Sequence, residues 1–384
     1  MIKILAVTGI RSEYFILQPV FEELVSRKEI DLKVIVTGTH LSPLHGSTYK
    51  YIEKDGYNII KLETLLSSDE LSGRCKSVGI QIMGLTDIIS REKPDWLMVL
   101  GDREESITTA LVGTYLNIPV AHLCGGDRVV GNIDDSVRHA VTKLAHIHFP
   151  TTEENGERII KMGEEPWRVN VVGNPALDSI RKQPDLDLNY INDKLKTNLK
   201  DNEPFILLIQ HPLSSEVEEA GKQMEITLQA VSELGYKTII SYPNSDAGGY
   251  EIIKIIKDFE KKYGFINAFE TLPRDIFVNL QRRASLMLGN SSAGILEAPF
   301  LKLPVVNVGN RQKERQHSEN IIFVSNDKEQ IKNAIKKAIH DKKFIDLCKK
   351  CKNPYGDGYS SKRIVDIILN TPIDLKLLNK KITY

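Results

Sequence analysis

Along the chain, short apolar runs alternate with longer stretches in which apolar residues recur three and four positions apart. The runs KILAVTG (3–9), LKVIVTG (32–38), DWLMVLG (95–101), IPVAHLC (118–124) and IHFPT (147–151) read as strands. Helical patterns lie at 14–26, 77–92, 104–116, 134–146 and 154–163. Strands that are apolar throughout, each followed by an amphipathic helix, predict a parallel sheet covered on both faces. The same grammar returns further on. Strands are predicted at 205–212, 237–244, 265–269, 285–292 and 303–309, with helices ending near 234 and spanning 251–264 and 273–284. A polar, Asn- and Asp-rich stretch, 183–204, reads as an insertion. The expected fold class is α/β: two doubly wound Rossmann-like domains, residues 1–171 and 172–358. The last helical pattern, within 359–384, is open to either domain, including a return onto the first. Ligands of such sheets sit beyond the carboxyl ends of the strands, which predicts a site in a cleft between the domains.

Composition narrows the partners. A length of 384 residues suits two domains. Lys plus Arg and Asp plus Glu are both 51, so no nucleic-acid polyanion is expected as partner. No apolar stretch approaches the roughly 18 residues of a membrane span, and the first residues lack a signal-peptide pattern. Few cysteines (Cys75, Cys124, Cys348, Cys351) fit a reducing, cytoplasmic setting. Cys348 and Cys351 form a C-x-x-C in a lysine-rich helical pattern without a second ligand pair, which favours a structural role. No metal-ligand spacing is evident, and GIRSEY is not the G-x-G-x-x-G of a nicotinamide site. No metal and no cofactor are expected.

The candidate chemistry gathers just after the predicted strands. In LGNSSAGILEAP, Asn290, Ser291 and Ser292 precede a helix, where free N–H groups and hydroxyls suit a phosphate oxygen. Glu297 follows one turn later, placed to accept from a ribose diol. His211 in QHP and Arg311 in GNRQKER end neighbouring strands and strengthen a diphosphate reading. Arg11 follows a Gly turn and can stack on a base or neutralise phosphate. Asn244 and Asp246 lie in a turn, YPNSDAGG, which turn chemistry alone also explains. In the first half, Asp102 ends a very apolar strand, where burial raises a carboxyl toward use as a general base. HLCGGDRVVGNIDDSVRHA (122–140) holds His122, Cys124, Asp127, Asp134, Asp135, Arg138 and His139 within one strand end and helix start. Asp134 with Arg138 and Asp135 with His139 are four apart and suit helical pairing. With Asp102 they predict a carboxylate-lined pocket.

Together these motifs resemble the UDP-N-acetylglucosamine 2-epimerase family, specifically its hydrolysing branch. The matching segments are GIRSEY, VTGTHLSPLHGSTYKYIEKDG, GDRE, HLCGGDRVVGNIDDSVRHAVTKLAHIHF, VGNPALD, QHP, PNSDAGG, LGNSSAGILEAP and GNRQKER, in the family's order across roughly residues 1–370. GDR in place of GDT, and IDDSVRHAVTKLAHIHF, point to the hydrolysing branch. The resemblance implies a GT-B-like fold whose second domain holds the nucleotide. It places Arg11, His211, Ser291, Ser292 and Glu297 on the uridine diphosphate, and Asp102 and Asp134 in the catalytic set. His45 and Cys124 would line the sugar pocket. The implied reaction removes the C2 proton, expels UDP to leave a glycal, and adds water to give the free 2-epimeric sugar. N-acetylmannosamine is the parent product, for sialic or legionaminic acid synthesis, and a homodimer or homotetramer is implied. The chain departs from the pattern at Cys124, where the family commonly has glutamate, and at Asp127, where GGE is usual. The stretch from Asp127 to IDD also runs about one residue longer. The alternatives are a non-hydrolysing epimerase, a glycosyltransferase of the same architecture, and a nucleotide-sugar-binding regulator without catalysis.

Overall fold

A computed structural model describes every residue except 67–70, 129–132, 214, 245 and 384; most of the stretch between Asp127 and IDD, read as about one residue long, lies outside the described residues. The chain divides into two compact units, Met1–Arg181 with Tyr355–Tyr384, and Lys182–Pro354.

In the first unit, β1 (Ile2–Thr8), β2 (Ile30–Val36), β3 (Asn58–Lys61), β4 (Trp96–Leu100), β5 (Val120–Leu123) and β6 (Ile147–Phe149) form one parallel sheet of order β3-β2-β1-β4-β5-β6. The alternation of side chains along these strands feeds two cores. Ile4, Ala6, Val34, Trp96 and Met98 pack on the helix Arg11–Val25. Leu5, Val7, Ile35, Leu97 and Val99 pack on helices Leu71–Glu92 and Glu104–Tyr115. A central strand therefore reads as apolar at every position, because both faces are covered.

The second unit repeats the plan. β7 (Phe205–Ile209), β8 (Lys237–Ser241), β9 (Ile266–Phe269), β10 (Leu286–Gly289), β11 (Val305–Val308) and β12 (Ile321–Val324) are ordered β12-β11-β10-β7-β8-β9. Both sheets have the Rossmann order, with the reversal between β1 and β4 and between β7 and β10. Gly289, at φ +118°, ends β10; a side chain there would run into the Ile209 carbonyl on β7.

The structure differs from the sequence reading in two places. The edge strands β3 and β12 were not anticipated; NIIK and IIFV are four residues long and half-exposed, so they lack the signal of a buried strand. Residues 183–204, read as a polar insertion, contain a packed helix that the composition did not announce. Asp187 caps a helix, Leu188–Leu195, by accepting the Asn189 N–H at 2.6 Å. Leu188, Ile191 and Leu199 then bury against Phe205, Leu207 and Ile239 and cover the second face of the sheet. Asn192 closes the following turn through the Leu199 N–H and carbonyl, both at 2.9 Å.

The segment after Pro354 packs in the first unit. Ile364, Val365 and Ile368 of the helix Ser360–Asn370 join the core containing Leu17 and Phe21. Fully burying each such side chain is worth on the order of 2 kcal/mol. Asp178 accepts the N–H groups of Ser360 (3.0 Å) and Ser361 (2.7 Å), satisfying donors at that helix start. Further on, Lys380 donates to the carbonyls of Thr142 (3.1 Å), Lys143 (2.9 Å) and Ala145 (2.6 Å) and pairs with Glu164 at 2.7 Å. Burial would raise the Glu164 carboxyl, but bonds from His148, Lys143 and Lys380 outweigh it and hold its pKa near 2, against an ordinary 4.5.

Two outcomes follow. Asp178→Ala should cost about 2 kcal/mol in chemical denaturation, the worth of a lost cap plus buried donors. A carboxyl depressed in the fold stabilises above its unfolded value and loses that contribution as pH falls from 4.5 toward 2. Stability measured across that window should decline for the wild type, with a shallower slope in Glu164→Gln.

Candidate active site

The carboxyl ends of β4 and β5 bring one charged group together. Gly101, at φ +71°, turns the chain out of β4. Its N–H donates to the Leu123 carbonyl at 2.9 Å, and its carbonyl accepts from His122 Nε2 at 2.8 Å. The bond to a carbonyl fixes the Nε2–H tautomer, because only a protonated nitrogen can donate there. His122 is completely buried, and burial pulls its pKa down to about 3, so the ring is neutral. Both β5 contacts hold the Gly101 peptide, and with it the start of Asp102.

Asp102 pairs with Arg138, which rises from the helix Ile133–Leu144 and is itself buried. The same guanidinium lies 3.8 Å from Asp127. Asp127 accepts a hydrogen bond from Asn155, whose amide also donates to Thr151 at 3.0 Å. Arg158 donates to the Gly126 carbonyl and to Asn155 Oδ1, the latter at 3.0 Å. Asp102, Asp127, His122 and Arg138 are therefore one connected network. Asp135 and His139 form a 3.6 Å pair on the helix, and Asp134 lies in its first turn, where it interacts electrostatically with Arg103.

Cys124 follows β5 in the left-handed region, φ +57°, which a non-glycine residue occupies at a cost of roughly 1 kcal/mol or more. Its N–H bond to the Phe149 carbonyl, 3.0 Å, helps hold it there. Burial pushes its thiol pKa up, and Asp127 adds to the rise. The thiol is uncharged at neutral pH. His45 lies elsewhere, exposed on the turn Pro43–His45 with Ser42 at 2.9 Å.

A second group, missed in the sequence, lies under the ends of β1 and β2. Glu13 accepts from the Gly9 N–H (3.0 Å) and the Thr8 hydroxyl (3.3 Å). Burial, with Glu105 nearby, raises its pKa to about 8. The Glu105 carboxyl occupies the space that a side chain at Gly9 would take, and Arg103 Nε stands 3.5 Å from it. His40 is buried between Thr8 (3.2 Å) and Thr48 (2.8 Å), and burial lowers its pKa to about 4. The faint signal was a glutamate in the first turn of two helices that follow strands, in GIRSEY and GDREE. Arg11 lies at the exposed start of the first helix, with its guanidinium over Phe15 (5.3 Å) and Tyr51 (5.7 Å).

In the second unit, Asn290 is the organising residue. Its side chain accepts the His211 N–H at 2.7 Å and donates to the His211 carbonyl at 2.9 Å, tying the ends of β7 and β10. Its own carbonyl receives Arg311 (3.1 Å) and Gln312 (3.0 Å) from beyond β11. His211 Nδ1 accepts the Asn244 N–H at 3.0 Å, and Asn244 donates to Asp246 at 2.6 Å. Burial first, and Arg311 second, lower the His211 pKa to about 4. Arg311 is half-buried and forms no ion pair among the described residues; burial and Arg315 lower its pKa. Ser291 accepts the Ala293 N–H at 3.3 Å, and Ser292 starts the short helix Ala293–Leu296. Glu297 receives Arg274 at 3.1 Å on both oxygens. His211, Asn244, Asp246, Asn290 and Arg311 thus meet, with Ser291 and Ser292 following directly.

Two Rossmann-like domains, one with Asp102 and Asp127 on Arg138 and the other with Arg311 half-buried and without an ion pair among the described residues, form a GT-B-like fold. The chain belongs to the UDP-N-acetylglucosamine 2-epimerase family, whose model matches residues 22–369. It is 35% identical over 379 residues, 98% of each chain, to the UDP-N,N'-diacetylbacillosamine 2-epimerase (hydrolyzing) of Legionella pneumophila. It is also 35% identical over 325 residues, 83% of each, to the GDP/UDP-N,N'-diacetylbacillosamine 2-epimerase (hydrolyzing) of Campylobacter jejuni. In fold it matches the crystal structure of UDP-GlcNAc 2-epimerase from Neisseria meningitidis bound to UDP-GlcNAc, with a TM-score of 0.78 at 23% identity, covering 96% of this chain and 100% of that one.

The neutral, half-buried thiol gives a direct outcome. Iodoacetamide at pH 8 should modify exposed Cys75 and leave Cys124 and buried Cys348 largely unmodified until denaturant is added, read by peptide mass spectrometry.

Proposed function

We propose that the protein is a hydrolysing 2-epimerase of a UDP-linked 2-acetamido sugar. The observation that carries this reading is the network of Asp102, Arg138 and Asp127 at the ends of β4 and β5, in a chain related over almost its whole length to hydrolysing epimerases. The first two relatives described above are named for a 2,4-diacetamido-6-deoxy sugar, so that sugar is the proposed substrate in preference to UDP-GlcNAc.

In this reading a carboxylate takes the proton from C2 while the C1–O bond breaks, its electron pair leaving on the β-phosphate of UDP. The C1=C2 glycal then takes hydroxide from water at C1 and a proton at C2 on the opposite face. The product is the free sugar with C2 inverted. The reaction is redox-neutral and asks for no electron carrier. Cys124 is unsuited to the first step, since its thiol is held protonated by burial. The base is therefore assigned to the carboxylates, with Asp127 beside Cys124 and Asp102 on Arg138. Asp134, Asp135 and His139 are assigned to proton delivery around the glycal. His122, completely buried, is a positioning residue for Asp102 through Gly101. Arg311 and the Ser291–Ser292 start suit the departing diphosphate, with His211, Asn244 and Asp246 beside them. Glu297 is assigned to the ribose and Arg11 to a supporting cationic role. Action in the cytoplasm and a homodimer or homotetramer complete the proposal; light scattering decides the assembly. Cys124 in place of the family's usual glutamate favours a second reading, a nucleotide-sugar binder without turnover.

Proton NMR in deuterated water separates them. The proposal expects UDP and free 2-epimeric sugar carrying deuterium at C2; binding without UDP release would establish the second reading. Asp102→Asn and Asp127→Asn should each lower kcat about 100-fold or more while the denaturation midpoint holds. Cys124→Ser should change kcat less than about tenfold; a loss comparable to the aspartate variants would give the thiol a chemical role.

A further inference from the structure

The helix Leu71–Glu92 packs on its sheet with one side only. Leu85, Ile88 and Ile89 enter the core beside Leu97 and Val99. The opposite side carries an exposed stripe of Lys76, Ile80, Met83 and Asp87, with Ile80 39% and Met83 72% exposed. These positions follow one another at spacings of four, three and four residues. That spacing sets them in one line along the helix, the pattern of a narrow helix–helix seam. Two exposed apolar side chains are ordinary on a protein surface. Their arrangement with the charges is not.

The stretch KSVGIQIMGLTD (76–87) has a centre between Gln81 and Ile82 about which the exposed positions correspond. Ile80 and Met83 are equidistant from it, and so are Lys76 and Asp87. A second copy of the helix, laid antiparallel about a twofold axis at that centre, sets Ile80 against Met83 of the partner subunit. It sets Lys76 against Asp87 of the partner subunit, and by symmetry each pair occurs twice. Within one subunit Lys76 and Asp87 are about 16 Å apart along the helix and cannot pair. Neither forms an ion pair among the described residues. Gly79 supplies clearance beside Ile80. A side chain there would meet nothing within 4 Å, so nothing described in this subunit demands glycine, which a helix interior disfavours. Gly84 differs, because a side chain there would run into Leu62. The bare backbone at Gly79 lets another helix approach closely.

We infer that a second copy of this chain docks on this stripe, the two helices antiparallel about the twofold axis, with Ile80 and Met83 at the centre and a Lys76–Asp87 ion pair at each end. An unrelated partner would have no need of opposite charges at equal distances from the apolar centre; self-association requires them. The inference gives the assembly proposed above a surface, and it does not depend on the reaction.

The test is sedimentation velocity of the full chain at low ionic strength, where surface charges are least screened. The wild type should sediment as a dimer or tetramer. Lys76→Asp makes both ends of the stripe acidic, and Asp87→Lys makes both ends basic. Each should raise the dissociation constant of this contact at least about tenfold, because like charges then face each other twice. An equimolar mixture of the two variants should recover the wild-type assembly, since the acidic ends of one meet the basic ends of the other. Misfolding cannot produce recovery on mixing. If one variant does not fold, the double variant Lys76→Asp/Asp87→Lys should assemble as the wild type does, and Met83→Glu should not. A monomeric wild type overturns the inference and the proposed assembly together, and leaves the face to another protein or to solvent. An assembled wild type whose single variants sediment unchanged, or whose mixed variants do not recover, overturns the surface alone. Neither result touches the epimerase reading, which UDP release decides.

Discussion

The pairing of β1 with β4, and of β7 with β10, is the constraint from which the candidate site follows. At these reversals of strand order, successive connections run to opposite sides of the sheet, and the carboxyl ends of the central strands are left uncovered. The residues immediately after each strand then have backbone groups that no ladder satisfies. Gly101 is held by His122 and Leu123, and His211 by Asn290, in arrangements of the same kind: a neighbouring strand end supplies both a donor and an acceptor to one turn. Rigid turns of this sort let short side chains project with little conformational freedom left to lose.

The charges at these ends are handled differently in the two domains. In the first, Asp102 and Asp127 share the buried Arg138, whereas Glu13 and Glu105 are so deeply buried that both hold their protons more tightly. One set is paired with a guanidinium and the other drawn toward its neutral form by desolvation, a few residues apart. In the second domain the imbalance is positive. Arg311 is drawn from water without an opposing carboxylate in contact among the described residues, which costs free energy that a bound anion would return.

Much of this was legible in the sequence. The ten strands with buried faces announced themselves as unbroken apolar runs, and the polar clusters at their ends marked where chemistry would gather. Two of the four edge strands, β3 and β12, were not visible, because NIIK and IIFV are half-exposed and too short to show alternation. The helix Leu188–Leu195 was hidden by its Asn and Asp content, although those residues are the cap and the turn that make it. In the candidate site, residue type pointed to Asp102 and His211, which lie at the ends of β4 and β7. It could not show that His122 faces a backbone carbonyl, that Cys124 adopts a left-handed conformation, or that Glu13 and Glu105 point inward. Those are facts of backbone conformation and side-chain direction, which depend on the register of strands far apart in the chain.

The polypeptide leaves the first unit after Arg181 and re-enters it at Tyr355, so the second unit is an excursion within the first. During synthesis the second unit can complete its sheet while the first still lacks Ile364, Val365 and Ile368, and while Asp178 still waits for Ser360 and Ser361. The usual order, in which the domain made earlier matures earlier, is therefore inverted. A nascent chain halted before residue 360 would expose the apolar face of the helix Arg11–Val25, and a chaperone that shields that face would matter most in the last moments of translation.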